Sequence, residues 1–331
     1  MKKILISGAT GFLGSYLVKE FNEKGFYVKA TGRNVKKGEK IQNKNVEFIQ
    51  CDIQNEDECI EKFKDIDYVI HAAALSNPWG DYDEFYRTNV VGTKNIIKVC
   101  KENNVKRLIH ISSPSIYTDS RDRFDIKEEE APKKNNYNNY IKTKLLAEKE
   151  VKKANNLGMY TVIIRPRGIF GIGDTSIVPR ILELNKTTGI PLVREGEQII
   201  DITHVKNVVS AIKLSLIKED ISGEIFNITN DSPIKFKEVI NILSRGLDIK
   251  IKYKKLNLKT VYFISIILEG VYKIFKIKKE PLLTKYKACT ILFSQTLDIK
   301  NAKVKLGYKP IVSIEEGIEE YAKWRKENYD K

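Results

Sequence analysis

Cysteine is scarce in this chain, and the few cysteines follow no pattern. The 331 residues include four of them, with no C-x-x-C pair and no metal-ligand spacing. They are Cys51, Cys59, Cys100 and Cys289. We therefore expect no metal site and a reducing compartment.

A long apolar run is also missing at the start of the chain. Lys2 and Lys3 lead at once into a short strand and a glycine turn, not into the apolar stretch of a secretory signal. We expect the mature chain to begin at Met1 and to stay in the cytoplasm.

Charge is plentiful but unbalanced, with 58 Lys and Arg against 43 Asp and Glu and a net charge of +15. A basic face is the usual footprint of a nucleic-acid binder. Here the lysines are spread along the sequence, alternate with acids, and are not interleaved with stacking aromatics. We predict a solvated, lysine-rich surface and no nucleic-acid partner. The hydrophobic content of 42% and the charged content of 31% indicate a globular chain.

The first fourteen residues place three glycines between an apolar strand and an amphipathic helix. Gly8 lets the backbone leave the strand in a tight turn, and Gly11 leaves room for a pyrophosphate to reach backbone N–H groups. Gly14 lets the following helix pack close to the strand. The helix N-terminus then faces the phosphates with its partial positive charge. This junction predicts a dinucleotide cofactor.

Apolar runs of strand length alternate with helical patterns through the first half of the chain. The predicted strands cover 3–7, 27–31, 46–50, 68–72, 107–112 and 161–165. This alternation predicts an α/β, Rossmann-type doubly wound parallel sheet, which binds ligands beyond the carboxyl ends of its strands. We expect a dinucleotide-binding domain over 1–168, with a return segment near 199–229. A smaller, mainly helical substrate-binding region is expected over 169–198 and 230–331.

A tyrosine and a lysine four residues apart open a later helix. Residues at this spacing share one helix face, so the Lys144 ammonium can approach the Tyr140 phenol and favour its ionised form. A tyrosine with a pKa lowered from about 10 becomes a usable acid or base near neutral pH. Tyr137 has no lysine four residues on, so the spacing selects Tyr140.

Together these features resemble the short-chain dehydrogenase/reductase superfamily in its extended form. The resemblance covers nearly the whole chain and rests on GATGFLG, HAAA, SSPSIY, YIKTK, RPRGIFGIGD and DITHVKNVVSAI, in that order. It implies an enzyme in which Tyr140 exchanges a proton with a carbonyl or alcohol oxygen and Ser113 hydrogen-bonds that oxygen. Lys144 would lower the tyrosine pKa and bind the nicotinamide ribose. Ser112 is the alternative to Ser113.

By the same resemblance, the cofactor-binding residues follow the ends of successive strands. They are Gly8, Thr10, Gly11, Phe12, Leu13, Gly14, Arg33, Asp52, Ile53, Ala72, Ala73, Ala74, Asn89, Tyr140, Lys144 and Pro166. Asn89 would order the neighbouring helix and the active-site backbone.

A carboxylate is missing after the second strand, where an NAD site usually holds one for the ribose 2′-OH. The segment reads Gly32-Arg33-Asn34, with Lys36 and Lys37 close behind. A guanidinium suits a 2′-phosphate. NADP is therefore the preferred cofactor, and NAD is the alternative.

An acidic pair is missing after the serine, where Pro114-Ser115 stands. Sugar-nucleotide dehydratases of the superfamily carry such a pair, so dehydration is disfavoured. The later segments look like the branch of 3β-hydroxysteroid dehydrogenases, sterol-4α-carboxylate 3-dehydrogenases and 2-alkyl-3-oxoalkanoate reductases. That branch implies hydride transfer between a secondary alcohol and a ketone on a steroid-like or 3-oxoacyl, lipid-like substrate.

Two alternatives stay open. One is a nucleotide-sugar 4-epimerase that keeps NAD tightly bound and uses Arg180 and Arg194 for the substrate pyrophosphate. The other is a redox-sensing or scaffold protein that binds the cofactor without turnover. An intact Ser/Tyr/Lys set argues against the second.

The segment 258–279 is apolar at its centre and flanked by lysines. Its uncharged run is too short to span a bilayer, and Glu269 interrupts it. One predicted helical face carries Val261, Ile264, Leu268, Val271, Tyr272 and Phe275. We favour a helix that covers the substrate or forms an oligomer interface, such as a homodimer. Peripheral contact with an anionic membrane surface is the alternative.

Overall fold

The computed structural model describes residues 1–329. In chain order the strands are β1 (Lys3–Ser7), β2 (Tyr27–Gly32), β3 (Val46–Gln50), β4 (Tyr68–His71), β5 (Arg107–Ile111), β6 (Arg123–Ile126), β7 (Thr161–Pro166), β8 (Ile169–Phe170), β9 (Ile190–Leu192), β10 (Ile199–Ile200), β11 (Thr203–His204), β12 (Ile225–Ile228), β13 (Ile234–Lys235), β14 (Tyr253–Lys255) and β15 (Gln295–Leu297).

Helices fill most of the intervals between these strands. They are α1 (Phe12–Glu23), α2 (Val35–Glu39), α3 (Glu56–Lys62), α4 (Tyr82–Tyr86), α5 (Gly92–Glu102), α6 (Asn139–Asn156), α7 (Val178–Lys186), α8 (Val205–Ile217), α9 (Phe236–Leu247), α10 (Leu258–Ile274), α11 (Lys285–Leu292) and α12 (Ile314–Tyr329). A π-helical turn, Arg87–Val91, joins α4 to α5, and a 3₁₀ turn, Pro114–Tyr117, follows β5.

Seven strands form one sheet in the order β12-β7-β5-β4-β1-β2-β3. Every pairing within it is parallel. The six strands predicted from the sequence are all present, and the predicted return segment supplies β12 at the edge beside β7. The strand order reverses at β1, which has β2 on one side and β4 on the other. The doubly wound α/β fold is confirmed, and the glycine turn lies at its switch point.

Both faces of this sheet are covered, as its continuous apolar strands require. Along β1, Ile4 and Ile6 point to one face and join a core shared with α1 and α8. Leu5 points to the other face and packs with Cys59 of α3 and Ile96 of α5. Because side chains alternate along a strand, α1 and α8 cover one face of the sheet and α3 and α5 cover the other.

Beyond the main sheet, the chain forms further helices. It also forms a smaller sheet, which was not predicted from the sequence. Strands β13, β10, β15 and β6 make up this second sheet. On its far side α9 and α12 pack together through residues such as Leu243 and Ile318. The division into a dinucleotide-binding domain and a substrate-binding region stays a prediction.

The apolar face predicted for α10 is only partly buried. Val261 is buried and Leu268 and Tyr272 are half-buried, whereas Ile264, Val271 and Phe275 are exposed. The other buried residues of the helix are Ser265 and Glu269. The reason is a polar contact: Glu269 Oε2 accepts the main-chain N–H of Lys285 at the start of α11, at 2.7 Å. Within residues 1–329, none of the helices has the length and apolarity needed to cross a bilayer.

Candidate active site

The glycine turn after β1 has the geometry of a phosphate cradle. Gly8 has φ +71°, and a Cβ added there would lie 2.8 Å from Ala73 N. A Cβ on Gly14 would collide with Gly8 O, so the helix can approach the strand only because Gly14 has no side chain. Gly11 is exposed and donates its N–H to Gly8 O at 2.9 Å. The start of α1 therefore presents bare backbone, which fits the pyrophosphate of a dinucleotide.

The remaining predicted cofactor residues lie after β1, β3, β4 and β7, at the carboxyl edge of the sheet. Thr10 packs beside Gly32, and Asp52 Oδ1 accepts the N–H of Gln54 at 3.1 Å. Half-buried members of the set are Phe12, Leu13, Ala72 and Ala73; Ala74 is exposed, and Ile53 and Pro166 are buried. The structure thus gathers these positions on one edge, and their contacts with a cofactor stay a prediction.

Arg33 is exposed at the end of β2. Among the residues that the structure describes, its guanidinium has no hydrogen bond or ion pair. Asn34 turns back to accept the N–H of Lys37 at 3.0 Å and so begins α2. The side chain of Arg33 is therefore free to meet an anionic group at the cofactor edge.

Tyr140 is half-buried in the first turn of α6, which Asn138 caps by accepting the N–H of Ile141 at 2.8 Å. Burial raises the pKa of Tyr140 to about 12. A hydrogen bond with Ser113 acts in the opposite direction, and Tyr286 adds to the rise. The phenol is therefore protonated near neutral pH and can act as an acid.

Lys144 is fully buried one turn further along α6. Its Nζ donates to Ile111 O at 2.7 Å and lies 3.3 Å from His110 Nε2. Burial lowers the pKa of Lys144 to about 8, and Glu148 opposes that shift. The expectation that Lys144 lowers the pKa of Tyr140 is wrong for this arrangement, because its amine contacts Ile111 and His110 and burial dominates at the phenol.

The two candidate serines have different surroundings. Ser112 Oγ donates to Glu148 Oε1 at 2.6 Å within the core. Ser113 Oγ donates to Ser115 Oγ at 3.1 Å and lies close enough to Tyr140 to oppose the rise in its pKa. Ser113 therefore faces the tyrosine, while Ser112 ties β5 to α6.

Tyr286 is a residue of this site that the sequence did not reveal. Its hydroxyl lies 2.9 Å from Ser115 Oγ, so Ser113, Ser115 and Tyr286 form a row of hydroxyls. It comes from α11, far along the chain, and no motif surrounds it. Only the tertiary packing of α11, in a small core with Val193 and Val261, brings it here.

Asn89 connects the loop after β4 to α6. Its Oδ1 accepts the N–H of Leu75 at 2.7 Å, and its Nδ2 donates to Leu75 O at 3.0 Å. The same Nδ2 donates to Thr143 Oγ1 at 3.1 Å, next to Lys144. These contacts suit the predicted ordering role of Asn89.

Two neutral histidines lie beneath Lys144. His71 Nδ1 is 2.7 Å from Ser7 Oγ, and its Nε2 is 3.0 Å from Thr93 Oγ1. Burial lowers the pKa of His71 to about 3, and the Lys144 charge adds to this. His110 stacks 5.2 Å from it, and burial lowers its pKa also. Within residues 1–329, the structure gathers no set of three or more His, Cys, Asp and Glu side chains that could hold a metal.

The two arginines considered for a sugar-nucleotide pyrophosphate are paired with carboxylates. Arg194 Nη1 lies 2.8 Å from Asp122 Oδ2, and Arg180 Nη2 lies 3.8 Å from Glu280 Oε1. Both would have to leave these partners to bind a pyrophosphate.

Comparison with known proteins gives one family. A model described as the 3-beta hydroxysteroid dehydrogenase/isomerase family matches residues 5–258. The chain is 31% identical to a 2-alkyl-3-oxoalkanoate reductase of Stenotrophomonas maltophilia (strain K279a), over 96% of this chain and 97% of the relative. It is 28% identical to a decarboxylating sterol-4-alpha-carboxylate 3-dehydrogenase of Mus musculus, over 96% of this chain and 89% of the relative.

Among solved structures, a UDP-glucuronic acid 4-epimerase from Bacillus cereus in complex with NAD has a TM-score of 0.78. It is 23% identical and covers 99% of this chain, with 97% of its own chain covered. At that identity the likeness shows a shared fold.

Proposed function

The chain belongs to the 3-beta hydroxysteroid dehydrogenase/isomerase family and is an enzyme of the extended short-chain dehydrogenase/reductase type. We propose that it reduces a hydrophobic 3-oxo acid with NADPH. One observation carries this proposal. Ser113 lies beside Tyr140 and opposes the rise in its pKa, and buried Lys144 follows one turn along α6, at the sheet edge that also holds the glycine cradle.

The chemistry follows from the protonation states of these side chains. A bound nicotinamide cofactor would supply the hydride. Tyr140, protonated because burial raises its pKa, donates a proton to the ketone oxygen as that oxygen gains negative charge. Ser113 Oγ hydrogen-bonds the same oxygen. Lys144, cationic below its pKa of about 8, would bind the nicotinamide ribose rather than act on the phenol.

A side chain that no sequence motif singles out supports an acidic substrate. Arg167 follows β7 at the carboxyl edge and is half-buried. In the part of the chain that the structure describes, its guanidinium makes no hydrogen bond or ion pair. Burial lowers the pKa of Arg167, while the nearby Tyr286 and the carboxylate of Asp201 raise it, so the guanidinium lies near both the hydroxyl row and one acid. A half-buried guanidinium that forms no direct ion pair suits the carboxylate of a substrate.

The names of the relatives point the same way. The Stenotrophomonas relative is named for a 3-oxoalkanoate and the mouse relative for a sterol carboxylate. In both names a carboxylate accompanies an oxygen-bearing carbon. For this chain we propose that Arg167 holds the carboxylate while Ser113 and Tyr140 hold the ketone oxygen.

The test is a panel of NADPH and NADH oxidation assays with a 2-alkyl-3-oxo acid, its methyl ester, a steroid ketone and a UDP-sugar. We expect the acid to be reduced fastest. Tyr140→Phe should lower kcat about 100-fold or more, because the proton donor is lost. Tyr82→Phe, at an exposed tyrosine of α4, is the matched control and should keep full activity.

Arg167→Met separates the substrate class from the chemistry. It should lower kcat/KM for the acid roughly 10- to 100-fold and leave the ester unaffected, because only the acid presents a carboxylate. Equal loss for both compounds would remove Arg167 from this role. Full activity in Tyr140→Phe, or epimerisation of the UDP-sugar with NAD that co-purifies, would overturn the proposed function.

A further inference from the structure

The outer half of α10 exposes large apolar side chains, which we call the apolar face. It consists of Phe263, Ile264, Ile266, Ile267, Ile274 and Phe275. Phe263 is 64% exposed, Ile274 77% and Phe275 72%. Single exposed apolar residues are ordinary, but a contiguous patch on one helix marks a binding surface.

The helix cannot bury this face by rotating. Its inward side carries Ser265 and Glu269, and Glu269 Oε2 accepts the main-chain N–H of Lys285 at 2.7 Å. Turning α10 over would expose this contact and leave the α11 N–H without its acceptor. The apolar face must therefore be covered by something outside the chain.

Positive charge surrounds the apolar face. Four exposed lysines flank it on α10 and the loop after it, and two more lie on the strand before it. They are Lys259, Lys276, Lys278, Lys279, Lys254 and Lys255. Of the nearby acids, Glu195 pairs with Lys255 of this set, while Glu269 pairs with Lys273 and Glu280 with Arg180, which leaves the other five lysines in excess. Apolar side chains ringed by lysines match a bilayer with anionic headgroups.

A second copy of the chain fits this surface less well. A twofold interface is formed by the same patch on both subunits. It would bring these lysines against their own copies, and like charges facing each other oppose association.

The apolar face adjoins the active site through a short series of contacts. Tyr272 of α10 meets the ring of Trp79 edge-on, with centroids 6.2 Å apart. Trp79 Nε1 donates to Ile277 O at 3.2 Å. Gly80, the next residue, accepts a hydrogen bond from Asn139 Nδ2, beside Tyr140, at 3.0 Å.

We propose that the apolar face docks on the surface of an anionic bilayer, so that the active site takes its hydrophobic substrate from the lipid. The second clause rests on the proposed function; the docking does not. Docking in this orientation places the loop of Trp79 between the lipid surface and the catalytic tyrosine.

Flotation of the full chain with lipid vesicles tests the docking without any turnover. Vesicles of phosphatidylcholine mixed with phosphatidylglycerol should bind the protein, and vesicles of phosphatidylcholine alone should bind it at least about 10-fold more weakly. The double variant Phe263→Ser with Ile267→Ser should lower binding to the mixed vesicles by about 10-fold or more. Its control is Leu157→Ser with Val304→Ser, two side chains that are equally exposed elsewhere.

A second pair of variants tests the charge. Changing Lys276, Lys278 and Lys279 together to Gln should weaken binding roughly 10- to 100-fold. The same change at Lys19, Lys24 and Lys44, which are exposed on other elements, should weaken it far less. Equal losses in the test and control variants would overturn the proposal, as would failure of the unaltered protein to float with either vesicle.

Sedimentation of the protein without lipid measures its oligomeric state and so tests the competing possibility that a second copy of the chain covers the apolar face. A dimer that the Phe263→Ser, Ile267→Ser variant dissociates would assign the apolar face to a second copy and overturn bilayer docking.

Reduction of a short, water-soluble 3-oxo acid is measured on the same proteins. If docking is correct and the proposed function fails, flotation persists while no variant reduces this compound.

Discussion

At the scale of single residues, we predict that Arg33 determines which dinucleotide the cradle prefers. It is exposed at the end of β2 without a partner among the described residues, and Asn34 is turned away to begin α2. Arg33→Ala should weaken NADPH binding roughly 10- to 100-fold, because a charge-assisted contact with the 2′-phosphate is lost. NADH binding should change little. Titration of both cofactors by fluorescence measures the two affinities.

Arg245→Ala, at an exposed arginine of α9, is the control for a general loss of positive charge. It should leave both affinities unchanged. If Arg33→Ala weakens NADPH and NADH equally, Arg33 does not read the 2′-phosphate.

Residue types and spacings identify Tyr140 and Lys144, but they do not give the state of these groups. The spacing places both side chains on one helix face, which the structure keeps. Burial sets the direction of both pKa shifts, and Tyr286, which comes from α11, adds to the rise at Tyr140. Neighbours that distant tertiary packing supplies leave no local pattern, so the pKa of the phenol was predicted in the wrong direction.

At the scale of elements, α6 joins the catalytic face to the core. Glu148 lies one turn beyond Lys144 and binds Arg165 of β7, with Arg165 Nη2 2.6 Å from Glu148 Oε2. It also accepts the hydroxyl of Ser112. Both charged side chains are buried, so each compensates the other in a medium where a lone charge is unstable.

Glu148→Gln should lower the free energy of unfolding by about 3–5 kcal/mol, because the Arg165 charge is left buried without its partner. Urea unfolding at neutral pH measures this. Glu150→Gln, in the partly exposed pair with Lys94, should change it by less than about 1 kcal/mol. Similar values for the two variants would mean that the buried pair does not hold α6 in place.

Strands can be predicted from the sequence where both faces of the sheet are buried. The parallel strands are apolar throughout because helices cover both their faces, so their composition alone marks them. Strands such as β6 and β10 are short and pair only across long stretches of sequence, which no local pattern records. For α10, apolar periodicity does not show which side chains are buried, because a hydrogen bond that Glu269 accepts from Lys285, rather than apolar area alone, sets its orientation.

At the scale of the whole molecule, acid should destabilise the fold through its histidines. All three are buried, and burial lowers the pKa of His71 to about 3, that of His204 to about 4, and that of His110 well below its ordinary value. In the unfolded chain histidines take up protons below about pH 6.5, whereas the folded protein keeps them neutral. The contribution of the neutral histidines to the free energy of unfolding is therefore fully present above about pH 6.5 and is lost as the pH decreases.

Asp201 opposes this trend, because burial raises its pKa to about 6 and the folded protein takes up that proton first. The net loss in the free energy of unfolding should be about 3–4 kcal/mol between about pH 6.5 and pH 5. Urea unfolding across this range measures it. His204→Phe removes one titration without removing a hydrogen bond, since neither ring nitrogen has a hydrogen-bond partner among residues 1–329 and Glu320 Oε2 lies 3.9 Å from Nε2. It should reduce the loss by about 1.5 kcal/mol, and an unchanged pH dependence would contradict the prediction.

The pairing of β12 with β7 has a consequence for the order in which the protein is made. Ile225 and Ile163 are partners in register, and α8, just before β12, covers one face of the same sheet. Until the ribosome has released residue 228, β7 is an open strand edge with an uncovered apolar face beside it. A nascent chain stalled at residue 168 would hold every glycine of the cradle and still be prone to aggregate.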